Sequence, residues 1–118
     1  MKSTKNFKEH EWECKCGCDQ PHNMVPFVMN KVQTLRESYG HPLTLSSAWR
    51  CKNHKSEAKK SKPGQHFLGT AVDIRVTSGA MAYAIIKLGL ELGATGFAYG
   101  NGFVHLDWRE STPVSWIY

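Results

Sequence analysis

The sequence predicts a small α+β domain in which two helices pack on an antiparallel sheet. Three observations predict it. Residues 24–39 and 79–92 repeat apolar side chains at helical spacing. Residues 43–48, 70–76 and 102–108 alternate apolar and polar side chains, as strands do. Gly100-Asn101 lies between two such runs and reads as a hairpin turn. The chain has 118 residues, the size of one domain with its own core. With 41% hydrophobic and 21% charged residues it fits neither a disordered nor a collagen-like chain. Residues 1–118 are therefore read as one domain, with 1–22 as a Cys-containing N-terminal segment.

Each element has its local reason. In residues 1–22, Phe7 and Trp12 are the apolar anchors of a polar stretch. The 24–39 helix carries Pro26 near its start, where a missing N–H costs nothing, and Asn23 is its candidate cap. Val28, Val32, Leu35 and Tyr39 form its stripe, and Gly40 ends it. Residues 51–65 form a long basic loop, a kind of segment that is usually functional. In 70–76, Val72, Ile74 and Val76 face one side, while Ala71, Asp73 and Arg75 face the other. The 79–92 helix has Met81, Ile85, Leu88 and Leu92 as its stripe. Residues 96–99 precede the last strand, in which Phe103, His105, Asp107 and Arg109 share one face and Val104, Leu106 and Trp108 the other.

Charge narrows the partners without choosing among them. Fifteen Lys and Arg against ten Asp and Glu give a formal charge of +5. Such a surface favours nucleic acid, phospholipid or acidic wall polymers. Lys52, Lys55, Lys59, Lys60 and Lys62 read as a solvated loop. No recognition motif or basic helix supports nucleic-acid binding, which ranks last. No apolar run is long enough to span a bilayer, and no apolar run follows the N-terminal lysines as in a secretory signal.

Of the four cysteines, Cys14, Cys16 and Cys18 alternate within five residues, and Cys51 stands apart. Without a secretory signal, a disulfide framework is not the default. Alternate positions of an extended segment share a face, so the three thiols can converge. Buried free thiols are the first expectation, and a small structural site or a late-formed disulfide the second.

Polar residues on the strand faces opposite the apolar alternates carry the chemistry. Asp73 sits on one such face, and His105 with Asp107 on another. His66 precedes Asp73 by seven residues, across a glycine-bearing turn that can bring it back over Asp73. Two imidazoles and a carboxylate suit Zn²⁺ with one position left for water, as catalytic zinc requires. Taken singly, each has a plainer reading: a surface His66, an Asp73 paired with a cation, a satisfied core His105.

The stretch His66-Phe67-Leu68-Gly69-Thr70-Ala71-Val72-Asp73 resembles the HxxGxAxD motif of D-Ala-D-Ala carboxypeptidases. Phe103-Val104-His105-Leu106-Asp107 resembles the later strand of the same family, and Leu45-Ser46-Ser47-Ala48-Trp49-Arg50 its upstream strand ending in Arg. These are the LAS-type zinc peptidases of peptidoglycan, which include phage endolysins and share a metal site with the hedgehog signalling domain. The ordered trio covers roughly residues 20–110.

The resemblance implies that His66, Asp73 and His105 bind one catalytic zinc ion and that Arg50 grips a substrate carboxylate or carbonyl. A guanidinium offers a planar fork suited to a carboxylate. It further implies a hedgehog and D-Ala-D-Ala peptidase-like fold. The implied reaction is hydrolysis of the peptidoglycan stem peptide by a metal-bound water, either as a D-Ala carboxypeptidase or as an endolysin-type endopeptidase. Gln65, beside His66, is a candidate substrate contact. Two positions depart from the family pattern. Gly64 stands where Ser is usual, and Gly102 where many members carry a Glu as general base. Asp107 is the first candidate for that base, with the orienting of a ligating His as its other reading. His54 is a weaker candidate, and Tyr99 a candidate oxyanion donor. Trp49, Phe67 and Trp108 are candidate cleft walls, with a core role as the alternative for each.

The expectation is a monomer made in the cytoplasm that acts on the cell wall, as a phage or prophage lysin does. The competing expectation is a zinc domain that binds peptide or protein without turnover.

Overall fold

The computed structural model describes all 118 residues. Its elements run α1 (Glu9–Trp12), α2 (Pro26–Tyr39), β1 (Leu45–Ser47), α3 (Lys55–Ala58), β2 (Ala71–Arg75), α4 (Gly79–Glu91), β3 (Gly96–Gly100), β4 (Phe103–Asp107) and β5 (Val114–Ile117). The five strands form one sheet in the order β1-β2-β4-β3-β5. Both main helices and the central antiparallel strands lie where periodicity places them. The sheet is mixed, however, because β5 joins β3 in parallel.

The alternation in β2 and β4 separates two faces. Val72, Ile74, Val104 and Leu106 are buried in the hydrophobic core, together with Val28, Val32 and Leu35 of α2 and Ile85 of α4. Full burial of each such side chain is worth about 1.5–3 kcal/mol. Along α4 the buried line is Ala82, Ile85 and Gly89, while Met81, Leu88 and Leu92 are only half-buried. The helix is thus rotated from the expected stripe. Small residues face the sheet, and Gly89 sits directly over the Leu106 side chain.

The opposite face carries one row in register across all five strands. Ser47 of β1 pairs with Asp73 of β2, Asp73 with His105 of β4, His105 with Ala98 of β3, and Ala98 with Trp116 of β5. Ser47 reaches this row through a register shift in β1, since Leu45, two residues earlier, pairs with Ile74 on the core side. A bulge of this kind re-aims a side chain.

The ends of α2 show one expected feature and one that differs. Gly40 closes the helix in the left-handed conformation. Asn23 does not cap it: Val25 is the N-cap residue and no side chain caps the helix. The Val25 amide instead donates to the Gly69 carbonyl at 3.0 Å. Gly69 has φ +78°, and a Cβ there would overlap the Asn23 carbonyl. The glycine between His66 and Asp73 is thereby required by the close approach of the chain before α2.

The N-terminal segment is anchored in the same core. Phe7 and Trp12 are fully buried and meet edge to face at 5.4 Å. The Lys8 amide donates to the Glu11 carboxylate at 2.7 Å, holding the single turn of α1. Trp49 N–H donates to the Trp12 carbonyl at 3.1 Å, which ties this segment to the chain after β1. The 51–65 stretch is not structureless, because α3 lies within it. The His54 ring caps α3 by accepting from the Ser56 amide at 3.1 Å, the loop-packing role rather than a catalytic one. No helix is long and apolar enough to cross a membrane.

Candidate metal centre and its cleft

β2 presents Asp73 and β4 presents His105 as directly paired neighbours, and the turn before β2 folds His66 over both. One ligand atom from each of the three lies within 4.8 Å of the others, and all three residues are buried. Asp73 Oδ1 is the hub, 3.0 Å from His105 Nδ1 and 3.2 Å from His66 Nε2.

The outer nitrogens of both rings are fixed. His66 Nδ1 lies 2.7 Å from the Ala48 carbonyl, so this nitrogen carries the proton and Nε2 presents its lone pair to the centre. His66 Nε2 is nevertheless buried without a hydrogen-bond partner, because its approach to Asp73 lacks the angle for a bond. His105 Nε2 lies 2.7 Å from Asp107 Oδ2. A buried nitrogen without a partner, beside a second imidazole and a carboxylate, fits a zinc ion.

Asp107 is fully buried, and both its oxygens are occupied. Arg109 donates to it through Nε at 2.8 Å and Nη2 at 2.6 Å, and His105 takes the remaining contact. Room for this carboxylate comes from Gly96 on the neighbouring strand, where a Cβ would overlap it. These are the partners of a carboxylate that orients a histidine.

Electrostatics follow from the contacts. Burial alone would raise the Asp73 pKa, but the His105 hydrogen bond and the adjoining His66 ring hold it well below the usual carboxylate range. Burial would likewise raise the Asp107 pKa, but the hydrogen bonds from Arg109 and His105 outweigh burial and lower it. Burial would lower His105, yet the flanking Asp107 and Asp73 raise it above the ordinary imidazole value.

Arg50 stands at the rim. Its Nε donates to Ser47 Oγ at 3.0 Å and its Nη2 to Asp73 Oδ2 at 3.2 Å. A cleft of about 300 Å³ opens over His66 and His105, with cationic groups from Arg50, Lys60 and Arg109 along its lining. Gln65 also lines it, with its Oε1 held by the Thr70 hydroxyl at 2.6 Å. Its aromatic wall is Trp116 and Tyr118. The Trp116 ring lies 4.9 Å from that of His105, and the Arg109 guanidinium 5.2 Å from the Trp116 ring.

Several expected residues lie elsewhere. Trp49 and Trp108 are buried in the core, with their indole N–H groups bonded to the Phe67 and Leu92 carbonyls. Phe67 packs beside Trp49 at 6.3 Å and does not line the cleft. Tyr99 pairs with Val104 on the other face of the sheet, away from His105. The hairpin loop is Asn101-Gly102, one residue later than expected, since Gly100 pairs with Phe103.

Trp116 and Tyr118 were not legible as wall residues, although Val114-Ser115-Trp116-Ile117 alternates weakly as a strand does. Glu57 was masked by the surrounding lysines. It is buried, accepts from the Gly64 amide at 3.0 Å and pairs with Lys60 at 2.9 Å. Through Gly64 it fixes the chain two residues before His66.

No curated protein matches the chain. The family model described as Peptidase M15 matches residues 3–107, a span that includes every residue of the candidate metal centre. With its buried His66–Asp73–His105 cluster under a basic cleft, the chain belongs to the peptidase M15 family, the zinc peptidases related to D-Ala-D-Ala carboxypeptidases.

Proposed function

We propose that this chain is a zinc peptidase that cuts the peptidoglycan stem peptide, with His66, Asp73 and His105 as the metal ligands. The observation that carries the reading is the buried, partnerless Nε2 of His66 beside His105 Nδ1 and Asp73 Oδ1. When bound, zinc supplies a Lewis acid that polarises the scissile carbonyl and activates water at neutral pH.

This chain's own residues do the rest. Arg50, at the rim of a cleft lined by three cations, receives the substrate carboxylate. The same cations favour adhesion to the acidic polymers of a wall. Gln65 keeps its Oε1 on Thr70 and turns its amide N–H groups to substrate. Asp107 orients His105 through Nε2 rather than carrying protons in the cleft, since Arg109 and His105 occupy both its oxygens. Burial raises the Tyr118 pKa, so this phenol keeps its proton and serves as a neutral donor on the cleft wall.

The test is a mass-spectrometric digest of peptidoglycan and soluble stem peptides, with zinc-loaded and chelator-treated protein. New fragments that need the metal are expected, and their masses distinguish terminal D-Ala release from internal cleavage. A zinc-loaded protein that cuts no wall type overturns the peptidase reading.

One observation favours a second reading, a zinc domain that binds peptide without turnover. No carboxylate lines the cleft, and Gly102 lies in the β3–β4 turn where many relatives carry a Glu. The same digest, followed by a binding measurement with zinc-loaded protein, separates the two.

A further inference from the structure

A second group of potential ligands lies outside the cleft. The sulfurs of Cys14, Cys16, Cys18 and Cys51 all fall within 4.8 Å of one another, and all four cysteines are free. Cys14 and Cys16 Sγ are 3.3 Å apart, and Cys16 and Cys51 Sγ 3.4 Å. Four thiolates around zinc at about 2.3 Å have edges of about 3.8 Å, so the cluster is close to that tetrahedron. Only Cys51 is buried and Cys16 is exposed, so the group is open to an ion from solvent. The expectation of four buried thiols therefore does not hold.

The backbone around the sulfurs is the second observation. The Cys51 N–H donates to Cys14 Sγ at 3.3 Å. Alternate cysteines can bring their sulfurs onto one ion only if the chain turns tightly between them. Gly17 (φ +85°) and Asp19 (φ +55°) provide two such turns, and Asp19 is the only non-glycine residue with positive φ in the chain. A left-handed aspartate is uncommon unless its surroundings require it. The amide on Cys14 Sγ favours thiolate there, the form that binds metal.

The donor set selects the ion. Four sulfurs with no imidazole or carboxylate make a closed, soft site, structural rather than catalytic. Zinc with four thiolates carries two negative charges. Lys15, between Cys14 and Cys16, and Lys52, next to Cys51, supply two positive charges in adjacent sequence.

We propose that Cys14, Cys16, Cys18 and Cys51 hold a second, structural zinc ion. It clamps the 13–20 segment to the chain immediately after Arg50. The clamp adds to the Trp49–Trp12 backbone bond and steadies the stretch from which Arg50 reaches Asp73.

The full chain, purified under reducing conditions and loaded with zinc, is weighed intact by native mass spectrometry, and Co²⁺-loaded protein is examined by absorption. Two zinc ions per chain are expected. His66→Ala is expected to keep one of them, together with the intense sulfur-to-cobalt charge-transfer band. Cys16→Ser is expected to lose that band and one ion. If Cys16→Ser does not fold, the wild type and His66→Ala still decide. A single ion lost with His66→Ala, no thiolate band in either protein, or an intact mass lighter by four hydrogens from two disulfides overturns the proposal. A thiolate-bound ion in a chain that digests no peptidoglycan supports this site while the peptidase reading fails.

Discussion

His105 Nε2 lies 2.7 Å from Asp107 Oδ2, two residues along the same face of β4. The contact turns Nδ1 toward Asp73 and His66, and it leaves Asp107 no free oxygen for the cleft. Asp107→Asn keeps the shape of the side chain and removes the charge. Zinc affinity, measured by competition with a chelator, is expected to fall about 10–100-fold. An unchanged affinity with lost turnover would instead restore Asp107 as the proton carrier.

Arg50→Lys keeps a positive charge and loses the planar fork. A charged hydrogen bond is worth about 1.5–3 kcal/mol, so kcat/KM should fall about ten- to hundredfold on a stem peptide with a free carboxylate. The loss should be far smaller on the amidated peptide. Equal losses on both substrates would mean that Arg50 acts only by holding Asp73.

Gly96→Ala places a methyl group on the Asp107 carboxylate. Overpacking of a tight site costs about 1–3 kcal/mol, which urea unfolding of the metal-free protein can read. A neutral outcome would show that the Arg109–Asp107–His105 chain can shift without cost.

Glu57 sets a pH dependence of its own. Burial would raise its pKa, but the Lys60 hydrogen bond and the Gly64 amide together bring it below the ordinary glutamate value. A carboxyl with a lowered folded pKa adds stability above its unfolded value of about 4.3, and that contribution disappears as pH falls through the folded value. The stability difference between wild type and Glu57→Gln should therefore be full at neutral pH and shrink as the pH drops below about 4. A difference independent of pH would show that the charge of Glu57 contributes nothing.

Asp73 and His105 are legible because each lies in phase with an alternation whose apolar members fill the opposite face, and alternation is a local signal. His66 needed the spacing to Asp73 across a glycine turn. Trp116 and Tyr118 were not legible as cleft walls: alternation identifies a strand but not its neighbour, and β5 pairs in parallel with a strand that precedes it by a dozen residues or more. Glu57 sits among lysines whose charge reads as solvation, and only the fold shows that it points inward. The convergence of Cys51 on Cys14, Cys16 and Cys18 crosses more than thirty positions, which spacing cannot report. Trp49 and Trp108 carry the residue type of a cleft wall, yet their indoles are used to close the core.

The row Ser47–Asp73–His105–Ala98–Trp116 has a further consequence, for errors in folding. Were β2 to slip by one residue against β4, Asp73 would turn toward Ile85 and Val32, and Val72 or Ile74 would turn toward water. The ionic residues of the centre would then lie inside the oil of the core, a state far costlier than any lost contact in the cleft. The apolar face thus proofreads the polar one. A molecule with the wrong pairing is not a poor enzyme competing with a good one, because it is removed from the folded population before a ligand arrives.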